Sequence, residues 1–425
     1  MRNGFVLKGD ICYSKSPLEL ETAEQAFLVC SDGISRGVFA ELPEEFKTLP
    51  LSDYGANVII PGLTDLHVHA PQFAFRGLGL DFELLEWLKK HAFPEEAKYA
   101  DLEYAKKAYT AFVADLKKGP VTRAVIFATR HTHATELLMD MLENSGLVTM
   151  VGRVNMDRNS CRNLQEAGAR QAAAETEAWL AKTSGKYKNT LPIVTPRFIP
   201  ACSDELMRRL GELARKYGAP VQSHLSENIA EVEWVRELCP WASCYGKAYD
   251  HFGTFGGDVP TIMAHCVYCG DEEVALMRER GVFVAHSPQS NTNLASGIAP
   301  IRKYLTAGLK VGLASDVAGG GDTSILRVMR SAIEVSKLRW RLIGQDEKPL
   351  TSSEAFYLGT VGGGSFFGKT GSFEAGCEFD AVVIDDSNLA APYRLSVAER
   401  VARIIYFSDD RNIRAKYVRG ENISI

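Results

Sequence analysis

Asn57–Phe73 reads NVIIPGLTDLHVHAPQF. An apolar run, NVII, leads through LTDLHVH into two histidines one residue apart, His67 and His69. Residues i and i+2 of a strand share a face, so both imidazoles can point at one spot where the strand ends. A chain that places two ring nitrogens there needs either a buried hydrogen-bond network or an ion.

Working outward, seven more β-type runs follow: TRAVIFAT, LVTMVGRVNM, TLPIVTPRF, APVQSHLSE, PTIMAHCVY, VFVAHSPQS and KVGLASD. They are continuously apolar rather than alternating, as parallel strands buried on both faces are. Amphipathic helical stretches separate them. In SDELMRRLGELARKYG, Ser203 is the expected N-cap, Leu206, Met207, Leu210, Leu213 and Ala214 fall at helical spacing, and Gly218 stops the helix. ATELLMDMLENSG and DEEVALMRERG are also closed by glycine. Eight βα units predict an α/β fold, a (β/α)8 TIM barrel over residues 57–369. A doubly wound open sheet is the alternative, but such a sheet usually announces itself by a glycine fingerprint after the first strand, and no GxGxxG is present. Both ends are β-like. GFVLKGDICYS and QAFLVCSDGISRGVFAEL precede the barrel; FDAVVIDD, ARIIYFSD and IRAKYVRGENISI follow it. Residues 1–56 and 370–425 are therefore expected to pair into one small β domain, sandwich-like in build.

The 425 residues carry a formal charge of −5, with no Lys/Arg block, which argues against nucleic acid as partner. No apolar run has the length of a membrane span, and the N-terminus lacks a signal-peptide core, so a cytoplasmic location is expected. Nine cysteines, an odd and scattered set, fit reduced thiols; Cys266 and Cys269 have metal-ligand spacing but no second pair to complete a structural zinc site.

The unusual polar residues fall on strand ends. His67 and His69 end the first run, Arg197 the fourth, His224 the fifth, His265 the sixth and Asp316 the eighth. Barrel active sites lie at the rim formed by the C-terminal strand ends. Imidazole and carboxylate donors meeting there suit a divalent ion such as zinc with an open position. Glu227, three residues past His224, is placed to carry a proton beside such an ion. A second HxH, His131 and His133, runs straight into a helical pattern and is not expected to bind metal. His286 is expected to support the site by hydrogen bonding, and His91 and His251 to lie at the surface.

These residues, with PGLTDLHVHAPQFAFRGLGLDFELLEWLKKHAFPEE, PIVTPRF, QSHLSEN, TIMAHCVY, AHSPQSNTNLASG, SDVAGG and DDRNI, resemble the amidohydrolase superfamily and, within it, the guanine deaminases. The resemblance runs from about residue 55 to 415. It implies hydrolysis of guanine to xanthine and ammonia on one zinc per chain, and commonly a homodimer. It places His67, His69, His224 and Asp316 as metal ligands, with Glu227, His265 and Asp316 as catalytic groups. It places Gln72, Arg197 and Phe198 on the purine. The roles are chemically coherent. Arg197 offers only donors and suits O6 and N7, the Gln72 amide can read N1–H and O6 together, and Phe198 can stack. The chain departs from the family pattern at Pro71 and Phe73, in KKGPVTRAVIF and in AHSPQSN, but at no ligand position. The fourth strand has no terminal lysine, unlike binuclear enzymes that open cyclic amides. The HxE…PCxxC signature of cytidine-type zinc deaminases is missing. Two rival readings stay open: a sibling deaminase acting on a pterin, 8-oxoguanine or a triazine, and a silent barrel serving binding or assembly.

Overall fold

The computed structural model describes residues 4–345 and 347–424. Each of the eight runs yields a strand. Leu63–His69, Val121–Phe127, Val148–Gly152 and Thr190–Pro192 form one parallel four-stranded sheet. Val221–Leu225, Thr261–His265, Phe283–His286 and Lys310–Leu313 form another. Val194 bridges in parallel to Val221 at one seam between them. At the other, Asp316 N donates to His67 O at 2.9 Å and His69 N to Val317 O at 3.2 Å. The strands of both sheets are almost wholly buried, which explains their continuous apolar composition.

Helices alternate with these strands. Asp204–Tyr217 starts at Ser203, whose hydroxyl accepts from Leu206 N, and ends at left-handed Gly218, φ 59°. Leu206, Met207, Leu210, Leu213 and Ala214 are its buried side chains, as the periodicity required. Thr132–Ser145 and Asp271–Arg280 likewise end at Gly146 and Gly281.

Both ends of the chain share one seven-stranded sheet, in the order Glu421–Asn422, Ile413–Val418, Ala381–Ile384, Leu51–Pro61, Gly4–Ser16, Glu19–Ser31, Ile34–Phe39. The run Asn57–His69 is thus parts of two strands. Leu51–Pro61 belongs to the terminal sheet and Leu63–His69 to the site, with Gly62 between them. A Cβ at Gly62 would meet the Thr122 side chain, so the change of sheet needs glycine there. Alternation along Leu51–Pro61 divides its burial. Val58 and Ile60 join the main core, while Ile59 packs with Leu7, Ile11, Leu28, Phe373 and Phe379 on the sheet's other face.

One terminal segment differs from expectation. ARIIYFSD is not a strand but lies largely in the helix Val397–Phe407. Ser396 and Glu399 form a capping box, and Val397, Val401, Ile404 and Ile405 make a buried stripe at helical spacing. The cap and the period outweigh the β propensity of IIYF. All nine cysteines are free, Cys266 and Cys269 among the buried ones. Among the described residues no helix is long and apolar enough to cross a membrane.

Candidate active site

Leu63–His69 ends in a turn, Ala70–Phe75, that has Pro71 as its second residue and carries Gln72. His67 and His69 are 1% and 3% exposed, with rings 4.8 Å apart and nearly perpendicular. His224 joins them: its Nε2 lies 3.2 Å from that of His69, and its ring centre 4.8 Å from that of His67. Phe127, at the end of the neighbouring strand, packs against all three imidazoles at 4.6 to 4.8 Å. Asp316 follows strand Lys310–Leu313 in a left-handed conformation, φ 47°, which turns its carboxylate inward. Its Oδ1 lies 3.1 Å from His67 Nε2 and 3.5 Å from His69 Nε2. His265 is also left-handed, φ 72°, and its Nε2 stands 3.7 Å from Asp316 Oδ2. Asp65 fastens the two ends together, accepting from His67 N, from Ser315 N and from the Ser315 hydroxyl.

The donor set fits a cation. Ligand atoms of His67, His69 and His224 lie within 4.8 Å of one another, as do those of His67, His265 and Asp316. His224 Nδ1 lies 2.6 Å from Arg197 O, which can only accept, so that nitrogen holds the proton and a neutral ring turns a bare Nε2 inward. Burial and the neighbouring His67 hold the His69 and His224 rings well below the usual histidine range. His67 Nε2, His69 Nδ1 and His265 Nε2 are buried with no hydrogen-bond partner. Buried polar atoms are rarely left so unless something else satisfies them.

Glu227 follows Ser226, whose φ of 50° breaks the strand, and precedes the helix Ile229–Leu238. Its Oε2 is 3.3 Å from His265 Nε2, and its backbone N donates to Glu231 Oε2 at 2.9 Å. Burial, then repulsion from Asp316 and Glu231, pushes the Glu227 carboxyl well above its usual range. Burial acts the same way on Asp316, but the adjacent His67 and His265 outweigh it and hold that carboxyl well below. Two acids side by side are thereby driven to opposite protonation states, the arrangement acid–base chemistry requires. His265 is oriented by Asn291, whose Oδ1 lies 2.9 Å from Nδ1.

Most of these groups line one cavity. His69, His224, Glu227, His265 and Asp316 form its polar end; Gln72, Arg197 and Phe198 line it too, with Leu84, Trp87, Leu88 and Leu294 as apolar walls. Arg197 and Phe198 both line it; Phe198 is still extended, φ −173°, and leads directly into the turn Ile199–Ala201. All nine residues singled out in the sequence thus gather in one place, His67 immediately behind the lining.

The remaining histidines separate as expected in part. His133 has an 82% exposed side chain beside Glu136, and His131 sits at the start of helix Thr132–Ser145, away from the cluster. His251 is exposed, whereas His91 is half-buried between Phe75 and Phe82. His286 is buried with both ring nitrogens unpartnered; it lies outside the cavity lining, so no hydrogen bond from it supports the site. Glu96, Glu231, Asn291, Trp87 and Asp65 were not evident from sequence. Trp87 carries an unpaired buried indole N–H at the cavity wall. Glu96 lies behind the cavity and binds both Gln72 and Arg197.

The chain belongs to the amidohydrolase family, which residues 58–423 match. Within it the relatives are specific. Guanine deaminase of Dictyostelium discoideum is 39% identical over 379 residues, 87% of this chain and 83% of that protein. Guanine deaminase of Homo sapiens is 38% identical over 377 residues, 86% and 82% of the two chains. The crystal structure of guanine deaminase from C. acetobutylicum with bound guanine in the active site superposes with a TM-score of 0.96 at 44% identity, covering 99% of this chain and 100% of that one.

Proposed function

We propose that the protein hydrolyses guanine to xanthine and ammonia with one zinc ion per chain. The observation that carries this is a single cavity joining an imidazole–carboxylate cluster to Gln72, Arg197 and Phe198. His67, His69, His224 and Asp316 would hold the ion. When bound, zinc supplies a Lewis acid that brings the pKa of water down to about 7. Asp316, kept ionised by its histidine neighbours, takes a proton from the attacking water. Glu227, kept protonated by burial, delivers one to a ring nitrogen of the base; the proton held by Asp316 then goes to the departing amine, which leaves as ammonia, and Glu227 regains its own from the new C2 hydroxyl as the carbonyl forms. His265, held by Asn291, stabilises charge at the tetrahedral carbon. Arg197 and Gln72 hold the purine through O6, N7 and N1–H, and Phe198 stacks on it.

The hydrogen bonds at both seams support reading the two four-stranded sheets as one closed (β/α)8 barrel. The small β domain, residues 1–56 with 370–425, gains the rest of strand Leu51–Pro61, so the division falls at Gly62. Its strands form one seven-stranded sheet with Phe373 and Phe379 packed on one face, so a single covered sheet is favoured over the sandwich-like build expected from sequence. A cytoplasmic homodimer is the expected state.

Ammonia release from guanine, adenine, cytosine and a pterin, with metal analysis, tests the reading. Guanine should react and the protein should hold close to one equivalent of zinc. Adenine lacks O6, and a buried donor left unpaired costs about 1–3 kcal/mol, so it should be a poor substrate. Preference for the pterin, or activity that needs two ions per chain, would overturn it.

A further inference from the structure

We propose that Glu96 is a positioning residue that sets both the aim and the charge of the base pocket, so that the pocket holds a neutral purine and does not retain an anionic product. This rests on the guanine reading above.

Glu96 is 1% exposed, on the short helix Phe93–Ala97 behind the cavity. Its Oε2 accepts from Arg197 Nη1 at 2.6 Å, and its Oε1 from Arg197 Nη2 at 3.0 Å and from Gln72 Nε2 at 2.8 Å. One carboxylate therefore holds both groups that would read the base edge. A carboxylate oxygen only accepts, so it fixes which end of the Gln72 amide is nitrogen. Ala318 N, donating to Gln72 Oε1 at 3.3 Å, agrees. Gln72 keeps one N–H and one lone pair for a ligand, a donor beside an acceptor.

The second consequence is charge. Arg197 is 2% exposed, and among the described residues Glu96 is its one ion-pair partner. The adjacent Glu95 is engaged by Lys98 at 2.6 Å and by the Tyr104 hydroxyl. A buried guanidinium without its carboxylate is a strong anion site; with it, the pair is neutral. Guanine is neutral. Xanthine, with a second ring carbonyl, loses a proton near neutrality. An uncompensated Arg197 would favour the product over the substrate.

The test uses zinc-loaded protein at mildly alkaline pH, where xanthine is anionic and hypoxanthine neutral, and measures the dissociation constant of each by calorimetry. Wild type should show little preference between them. Glu96→Gln should tighten xanthine relative to hypoxanthine about ten-fold or more and raise KM for guanine more than it lowers kcat. Glu96→Asp keeps the charge but withdraws the clamp by one methylene. It should raise KM while leaving the xanthine-to-hypoxanthine ratio at the wild-type value, whether or not Glu96→Gln folds. An unchanged ratio in Glu96→Gln, or a wild-type KM in Glu96→Asp, overturns the assignment. Failure of wild type to deaminate guanine strikes the underlying reading instead, since that arm does not involve Glu96.

Discussion

Two regions of this molecule bury charge, and they treat it in opposite ways. At the strand ends, His67 Nε2, His69 Nδ1 and His265 Nε2 have no hydrogen-bond partner. Where the terminal sheet meets strand Val121–Phe127, the buried charges are matched. Arg123 donates to Asp380 at 2.6 Å and to Glu378 at 2.8 Å. Asp380 also accepts from Thr122 Oγ1 and Arg419 N. Lys416 directs its ammonium at three carbonyls, Leu116 O, Gly119 O and Val121 O, all within 2.9 Å. The seam is complete without a ligand, and its polar groups serve docking of the two sheets. The histidine cluster instead gathers ring nitrogens and carboxylate oxygens without well-directed hydrogen bonds between the two. Unsatisfied buried atoms gathered on several ligand-type groups, more than buried charge itself or unpaired atoms standing alone such as those of His286, mark a place for chemistry.

That contrast can be broken at several points. The largest effect should come from Glu227→Gln, which keeps size and a hydrogen-bonding oxygen but cannot carry the proton. Turnover of guanine should fall by about 10²–10⁴-fold. Metal content and Tm should stay near wild type. Loss of the ion would make Glu227 a ligand, and retention of more than about a tenth of turnover would end its role as proton carrier.

Arg123→Met should do the reverse. It leaves the Asp380 carboxylate buried and unpaired, at a cost of about 3–5 kcal/mol, read by denaturant unfolding. The folded fraction should keep its zinc and its KM. A variant that loses metal before it loses stability would show that the two regions are coupled.

Lys416 gives a pH test. Burial pushes its ammonium down to about 7 from the ordinary 10.5. With the folded pKa below the unfolded one, the unfolded chain binds more protons across that window, so this residue makes stability rise with pH from about 7 toward 10.5. Lys416→Met deletes the slope. Tm of wild type minus that of the variant should therefore increase between neutral and alkaline pH. A difference that is flat with pH would mean the three carbonyls keep the ammonium charged.

The smallest effect belongs to His131→Ala, which should leave zinc content and kcat/KM unchanged. Loss of the ion would mean the other HxH had been the binding pair.

The legible parts were those written in local pattern. The helix from Ser203 to Gly218 could be read from its cap, its period and its stop. His67 and His69 announced themselves because strand alternation alone puts them on one face. The segment ARIIYFSD misled because β-branched and aromatic residues outweighed a capping box just upstream of it. Asn57–His69 hid a change of sheet, since both strands are apolar and only the fit of Gly62 against Thr122 marks the break. Glu96 was silent for a different reason. Two acids at the start of a helix look like an ordinary solvated N-terminus.

The sequence by itself determined which residues end strands, which stripes are apolar and which donors stand at strand ends, because those properties depend on neighbours a few positions away. Tertiary structure alone decided which donors meet, which go unpaired and what charge stands behind them. Glu96 and Arg197 are 101 residues apart in sequence and 2.6 Å apart in space. The state of a buried guanidinium is set by whatever chain folds against it, and nothing local to Arg197 records that partner.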